Sequence, residues 1–257
     1  MKIATWNVNS LRVRQEQVQT WLQEYPVDLL CLQETKLTDD LFPEAAFADM
    51  GYQAWFSGQK TYNGVAVLSR LEASQVLKEL PGVDPAQKRF LAVTVGNTRV
   101  INVYVPNGAS VGSDKYGFKL EWLKALESYV AQELKTGQPL IVTGDFNIAP
   151  DDRDVHDPAF WAGGILVSPP EREGYQRLIG LPLVDCFREK EARGGHFSWW
   201  DYRAGSFPRN RGVRIDHILA SQGLALTLSR CVIDATPRGW PRPSDHAPVI
   251  AEFDTGA

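Results

Sequence analysis

Short apolar runs, each closed by a polar or turn-forming residue, recur along the whole chain. Their β-branched content and alternation predict ten strands, at 2–6, 28–33, 52–57, 64–69, 90–95, 99–105, 139–143, 214–220, 229–234 and 248–253. Helical spacing is rarer. A helix is expected over 10–24, opening at Ser10 as N-cap, and another over 115–135, opening near Ser113 or Asp114 with Leu120, Leu123, Leu126, Val130 and Leu134 on one stripe. A third begins at Pro169 or Pro170, where proline suits the first turn, and runs from Glu171 to Leu178. The leucine stripe reads as core packing. Strands joined by short turns, within 62–79 and 90–105, call for mixed sheets. Ten strands exceed one simple layer, so the pattern predicts an α/β fold of two packed sheets flanked by helices.

The residues that close these runs are chemically distinctive. IATWNVN ends in Asn7 and Asn9, DLLCLQE in Gln33 and Glu34, and VINVYVPNG carries Tyr104 and Asn107; RIDHIL carries Asp216, and PSDHAP carries Asp245 and His246. In PLIVTGDFNIAP, residues 139–150, an extended chain puts Asp145 and Asn147 on one side and Phe146 on the other. Asp, Asn and Gly equally suit an ordinary turn. Six segments ending in groups able to bind metal or move protons are hard to read as independent turns, because ligand sites gather outside strand ends.

Glu34, Asp145 and Asp245 offer hard oxygen ligands and Asn7 or Asn147 amide oxygens, while Cys and His do not fall at zinc spacing. That donor set implies Mg²⁺, with Mn²⁺ as a substitute, and through magnesium's preference for phosphate oxygens a phosphoester substrate. Asp216 and His246 read as an orienting pair, the carboxylate fixing the imidazole's tautomer. With no Gly-rich P-loop and no GxSxG elbow, phosphate binding falls to metal, Asn, His and Tyr.

At 257 residues, 44% hydrophobic and 23% charged, without linker, repeat or low-complexity tract, the chain reads as one globular domain, 1–257. MKIATWNVNSLRVR lacks an apolar signal-peptide core, and no run approaches the roughly 20 apolar residues of a bilayer span, so a cytoplasmic protein without membrane contact is expected. Cys31, Cys186 and Cys231 are too few and too scattered for a disulfide framework and read as small core residues. A net charge of −4 argues against nucleic acid. From Arg193 to Arg214, however, five arginines meet one acid, Asp201, a local +4 interleaved with Phe197, Trp199, Trp200, Tyr202 and Phe207.

WNVNSLR, LQETK, YNGVAVLSR, NVYVPNG, GDFNIAP, FSWWDYR, RGVRIDHIL and SDHAPV, in that order over nearly the whole chain, resemble the exonuclease III family of apurinic/apyrimidinic (AP) endonucleases. The wider superfamily, with DNase I and the inositol-polyphosphate phosphatases, shares the Asn, Glu, Asp-x-Asn and Ser-Asp-His elements; FSWWDYR and YVPNG point to its DNA-repair branch. The resemblance implies a DNase I-like four-layer α/β sandwich, two mixed β-sheets face to face with helices outside. It implies a monomer that cleaves duplex DNA 5′ to an abasic site with Mg²⁺, leaving a 3′-hydroxyl. Phosphatase, phosphodiesterase and 3′→5′ exonuclease activities on 3′ ends would share that centre.

Carried across by motif, Glu34 and Asp245 become the principal Mg²⁺ ligands, with Asn7, Asp145 and Asn147 in the same group. Asp145 orients or deprotonates the attacking water, Asn147 positions water and phosphate, His246 held by Asp216 contacts the scissile phosphate, and Tyr104 approaches the same oxygens. On the DNA side, Arg12 and Arg89 suit backbone contacts, Asn107 and Tyr202 phosphate contacts, and Arg203 the minor groove. Trp199, with Val213 and Ile215, would line a pocket for a flipped-out abasic sugar, and Gly164 would face its approach and leave it room. A core role for Trp199 and a solvated helix charge for Arg12 are the alternatives. Lys36 reads as a partner to the metal carboxylates. Asn9 stands where many relatives carry Asp, Val213 is smaller than the aromatic of some relatives, and Ser110 replaces a helpful arginine, departures that would weaken metal or DNA grip. The competing functions are an inositol or lipid phosphatase of the same superfamily and a catalytically inactive nucleic-acid-binding regulator on this fold.

Overall fold

The computed structural model describes residues 1–254. In chain order the elements are β1 (Lys2–Asn7), α1 (Leu11–Glu24), β2 (Leu29–Gln33), α2 (Glu44–Ala48), β3 (Gln53–Ser57), β4 (Val65–Ser69), β5 (Ala73–Leu77), β6 (Phe90–Val95), β7 (Thr98–Tyr104) and α3 (Asp114–Leu134). There follow β8 (Leu140–Asp145), α4 (Pro158–Trp161), α5 (Pro169–Gly180), β9 (Leu183–Asp185), α6 (Cys186–Lys190), β10 (Asp216–Ser221), α7 (Gln222–Ala225), β11 (Leu228–Ile233) and β12 (Val249–Phe253). One six-stranded sheet has the order β11-β12-β1-β2-β4-β3, the other β5-β6-β7-β8-β10-β9, and both are mixed.

Alternation along the strands explains the layering. Ile3, Leu29, Cys31, Val65 and Val67 of the first sheet face Leu91, Val93, Val100, Ile141 and Ile218 of the second, and together they fill the core between the sheets. The intervening residues point outward. Ala4, Leu30, Leu32, Ala66 and Leu68 pack under Val18, Trp21 and Leu22 of α1 and Phe47 of α2. Ala92, Ile101, Val103 and Val142 pack under Trp122, Leu126 and Val130 of α3 and Tyr175 and Leu178 of α5. Strands covered on both faces read as nearly continuous apolar runs, which is why the pattern located them. The result is helix, sheet, sheet, helix, the expected DNase I-like four-layer sandwich.

All ten predicted strands are present, with ends shifted by at most two residues. The further two are sheet edges: β5 is largely solvent-exposed and β9 only three residues long, so neither builds an apolar run. Ser113 caps α3 as expected, its hydroxyl accepting from the Tyr116 amide at 3.2 Å. Ser10 precedes α1 but makes no side-chain cap; its φ of 95° turns its amide onto the Glu34 carbonyl at 2.7 Å instead. The three cysteines are buried and unpaired. Among the described residues no helix is long and apolar enough to cross a membrane.

A polar bridge crosses the inter-sheet core close to the strand ends that carry the site. Gln33 Nε2 donates to Thr5 Oγ1 (2.9 Å) and Asn102 Oδ1 (2.7 Å), and Asn102 Nδ2 donates to the carbonyls of Leu32 and Ala66. It joins β1 and β2 to β7, fixing one sheet against the other just before Asn7 and Glu34 leave β1 and β2.

Candidate active site

Sheet register brings the candidate residues together. Asn7 pairs with Gln33 in the parallel β1/β2 ladder, and Asp145 pairs with both Tyr104 of β7 and Asp216 of β10. Beyond these ends the chain turns sharply through left-handed residues: Asn9 (φ 43°), Glu34 (51°), Lys36 (55°) and Asn147 (50°). Such backbone is costly and concentrates where function fixes it. Phe146 does point away from Asp145, into the outer core, but Asn147 returns to the site through its left-handed turn, its amide bonding Asp145 Oδ1 at 2.8 Å.

Two carboxylates meet at the centre. Asn7 Nδ2 donates to Glu34 Oε1 and Asp145 Oδ2, each at 2.9 Å, and Lys36 Nζ lies 2.9 Å from Glu34 Oε2. Ligating atoms of Glu34, Asp145 and His246 all lie within 4.8 Å of one another. His246 Nδ1 bonds Asp216 Oδ2 at 2.8 Å, and its Nε2 stands 3.7 Å from Asp145 Oδ2. Asp245 is not part of that trio. Its two oxygens accept from Asn9 Nδ2 and Trp199 Nε1, both at 3.0 Å, while Asn9 Oδ1 accepts from Lys36 at 2.5 Å.

The electrostatics assign protonation states. Burial pushes the Asp145 carboxyl up, against the pull of His246. Burial alone would lower His246, but Asp216 and Asp145 outweigh it and raise the imidazole, so it is charged at neutrality. Burial would raise Glu34 and Asp245, yet both are lowered, the first chiefly by Lys36 and the second chiefly by His246. Burial and the nearby Glu34 and Asp145 carboxylates push the Tyr104 hydroxyl well above its ordinary value, leaving it a proton donor. A charged His246 donates through both ring nitrogens, so the oxygens of Glu34 and Asp145 are the donors open to a cation. Glu34 accepts from Asn7 and Lys36, and Asp145 from Asn7 and the Asn147 amide; the donor set fits a hard divalent cation.

The neighbouring motifs hold this centre. Ser198 Oγ accepts from the amides of Ile215 and Asp216, both at 3.0 Å; Ser244 Oγ donates to the Asn7 carbonyl at 2.7 Å; Trp6 Nε1 donates to the His246 carbonyl at 3.2 Å. FSWWDYR therefore serves the site directly, through Ser198 under Asp216 and Trp199 on Asp245. Asn107 Nδ2 donates to Asn147 Oδ1 at 3.0 Å. Below this pair lies a residue the sequence reading passed over: Lys119, fully buried, donates to the carbonyls of Asn107 and Asn147. Its signal was a lysine in phase with Tyr116, Trp122 and Leu123 on the buried face of α3.

Two cavities flank the centre. One, of about 520 Å³, is lined by Glu34, Tyr62, Arg89, Tyr104, Asn107 and Lys115 among others. Arg89 lies over the Tyr104 ring, 4.5 Å from its centroid. The other, of about 640 Å³, includes His156, Phe160, Trp161, Trp199, Arg203 and Arg211. Trp199 meets Trp161 edge to face and is partly exposed, so it is a wall residue. Val213 and Ile215 are buried beneath it and outside this lining. Gly164 is half-buried and outside this lining; a Cβ there would stand 3.0 Å from the Trp161 carbonyl oxygen. Tyr202 donates to the Pro243 carbonyl at 2.8 Å, steadying the Asp245 loop, while Arg12 and Arg203 are exposed. The basic stretch is less basic at the surface than its sequence: Arg214 is buried between Asp154 and Asp185, and Arg193 and Arg203 pair with Glu191 and Asp201.

The sequence matches the Endonuclease/Exonuclease/phosphatase family over residues 4–246. Exodeoxyribonuclease III of Haemophilus influenzae is 37% identical over 269 residues, covering 98% of this chain and 100% of that protein. The structure of the 3′ phosphatase NExo from Neisseria bound to a product DNA hairpin superposes with a TM-score of 0.97 at 48% identity, covering 99% of both chains. An AP endonuclease from Archaeoglobus fulgidus matches with a TM-score of 0.96 at 38% identity, again over 99% of each chain.

Proposed function

The chain belongs to the Endonuclease/Exonuclease/phosphatase family, and on that premise we propose that it is a Mg²⁺-dependent phosphodiesterase of DNA repair, cleaving the backbone 5′ to abasic sites and clearing blocked 3′ ends at the same centre. One observation carries the reading: Glu34 and Asp145 converge beside the Asp216–His246 pair and the Asn107–Asn147 pair, so a metal-binding face and a phosphate-binding face share one cleft. The similarity to exodeoxyribonuclease III, to a 3′ phosphatase and to an AP endonuclease supports the DNA substrate.

Glu34 and Asp145 would hold the cation, which when bound supplies charge neutralisation at the phosphate oxygens. Asp145, its basicity raised by burial, aims the attacking water and accepts its proton. Charged His246, oriented by Asp216, faces the negative charge that grows on the phosphoryl oxygens. Asn107 and Asn147 offer neutral N–H groups that bind phosphate without repelling it. Tyr104 presents a protonated hydroxyl beside them, and Arg89 steadies its ring. The cavity beside Trp199 would take the extruded sugar, since a missing base lowers the unstacking cost. The chain is read as one domain working as a monomer.

The test is a duplex carrying one tetrahydrofuran abasic analogue and a second carrying a 3′-phosphate, each incubated with Mg²⁺ or with EDTA. Incision 5′ to the analogue and release of phosphate, both abolished by EDTA, are expected. Activity on inositol phosphates alone would move the protein to another branch of the family. DNA binding without cleavage in any metal would make it a regulator.

A further inference from the structure

The side chain of Lys119 is 0% exposed, and its ammonium has three partners: Glu171 Oε1, the Asn147 carbonyl at 2.7 Å and the Asn107 carbonyl at 3.1 Å. With all three protons spent, it does not touch a substrate. Glu171 is equally occupied, accepting from the amides of Leu166 and Ser168 and from the Ser168 hydroxyl, so the pair is anchored to the start of α5. The lysine stem reaches this point past Gly108, whose φ of 93° and missing Cβ give it passage; a Cβ there would stand 3.2 Å from Lys119 Cδ. The loop after β7 and the loop after β8 already share two side-chain bonds, Asn147 Nδ2 donating to the Val105 carbonyl and Asn107 Nδ2 to Asn147 Oδ1, both at 3.0 Å, and Lys119 adds a tie to the backbone carbonyl of each asparagine. Asn147 holds a left-handed φ of 50° that a free loop would relax.

We infer that Lys119 is a positioning residue for the paired amides Asn107 and Asn147, clamping both backbones from inside the protein so that the two carboxamides present one rigid phosphate-binding face. A lysine suits this better than a neutral donor, because one ammonium serves three acceptors on three separate segments and the charge-assisted bonds shorten and stiffen them. Burying that charge is tolerated because Glu171 neutralises it. The role rests on the phosphoester reading of the site and adds to it a residue that acts through others.

The experiment compares Lys119→Met with Lys119→Met/Glu171→Gln in the full chain, the second removing the buried anion that the first leaves unpaired. Turnover of the abasic duplex is expected to fall by about 10²-fold in both, the scale of a displacement of roughly 1 Å at a reacting centre, with KM changed by less than about threefold. Added to Asn107→Ala/Asn147→Ala, the Lys119→Met change is expected to cost less than about threefold more, because both groups it positions are already gone. Multiplicative losses in that cycle, or full turnover by the folded double variant, would overturn the inference. Heteronuclear NMR of the substrate-free protein decides independently of activity. The side-chain amide resonances of Asn107 and Asn147 should shift and broaden in the double variant; unchanged resonances overturn the role of Lys119, whereas a wild-type chain that hydrolyses no phosphoester overturns the proposed function alone.

Discussion

Asp145 carries two demands that conflict in water: to stay ionised beside a phosphate and to be basic enough to take a proton. The fold reconciles them by burying the carboxylate, which raises its basicity, and by placing charged His246 3.7 Å away to keep it ionised. Asp145→Ala should therefore lower turnover by roughly 10² to 10⁴, the scale of a positioned acid or base, while leaving duplex affinity in EDTA intact. Steady-state kinetics with fluorescence anisotropy checks both halves, and near-normal turnover would remove Asp145 from the mechanism. Glu34 makes a different prediction, because Asn7 and Lys36 already satisfy it when no cation is bound. Wild-type protein should gain about 2.7 kcal/mol of unfolding free energy at a Mg²⁺ concentration a hundredfold above its Kd, by mass action. Glu34→Gln should lose most of that gain and also some metal-free stability, because its Nε2–H group would face Asn7 or Lys36, both donors; urea unfolding with Mg²⁺ and with EDTA reads the two losses separately.

The parallel β7/β8 ladder is where element geometry becomes most exacting. Gly144, one residue before Asp145, has a φ of 141° and lies so close to β7 that a Cβ would stand 1.9 Å from the Val103 carbonyl oxygen. Gly144→Ala should destabilise the protein by about 3 kcal/mol or more, combining left-handed strain with overpacking, and should cost catalysis as well by pushing Asp145 off its ladder. Calorimetry and turnover on the surviving folded fraction would separate the two effects. The same elements show what the sequence could reveal. Strands buried on both faces read as apolar runs, and the polar residues at or beyond their ends include Glu34, Asp145, Asp216 and His246, which the fold brings together. Lys119 was hidden because a lysine in a helix ordinarily means solvent, and its acceptors lie on loops whose convergence is tertiary. Arg214 misled for the same reason: counted in a basic stretch, it is neutralised by Asp154 and Asp185 from other segments. Asp245 is matched to Glu34 by motif, while the partners of its oxygens, Asn9 and Trp199, are announced by nothing local in PSDHAP.

At the scale of the molecule, Arg214 ties the loop after β8, the β9/α6 junction and the start of β10 into one buried unit. Its guanidinium meets Asp154 at 2.6 Å, Asp185 at 2.9 Å and His217 Nδ1 at 2.9 Å. An arginine only donates, so His217 Nδ1 must accept; its Nε2–H then donates to the Ile148 carbonyl, two residues beyond Phe146, at 2.9 Å. That geometry permits only the neutral ring. Burial, reinforced by Arg214, lowers His217 from 6.5 to about 4. The unfolded chain thus takes up a proton below 6.5 that the native state refuses until about 4, and stability should fall as pH drops across that window, by at most about 3 kcal/mol. Asp185, lowered to about 2 by Arg214 despite its burial, extends the same sign further down, its contribution complete above 3.8 and lost as pH falls through 2. His246 acts at the other end: raised in the native state, it contributes fully below 6.5, and that contribution is lost as pH climbs through its raised native value. Urea unfolding in EDTA across pH should therefore trace a dome, and His217→Gln, which can accept from Arg214 and donate to Ile148 without titrating, should flatten its acid limb between 6.5 and 4 while leaving the alkaline limb unchanged. An acid limb identical in that variant would show that the loss arises elsewhere in the buried charge network.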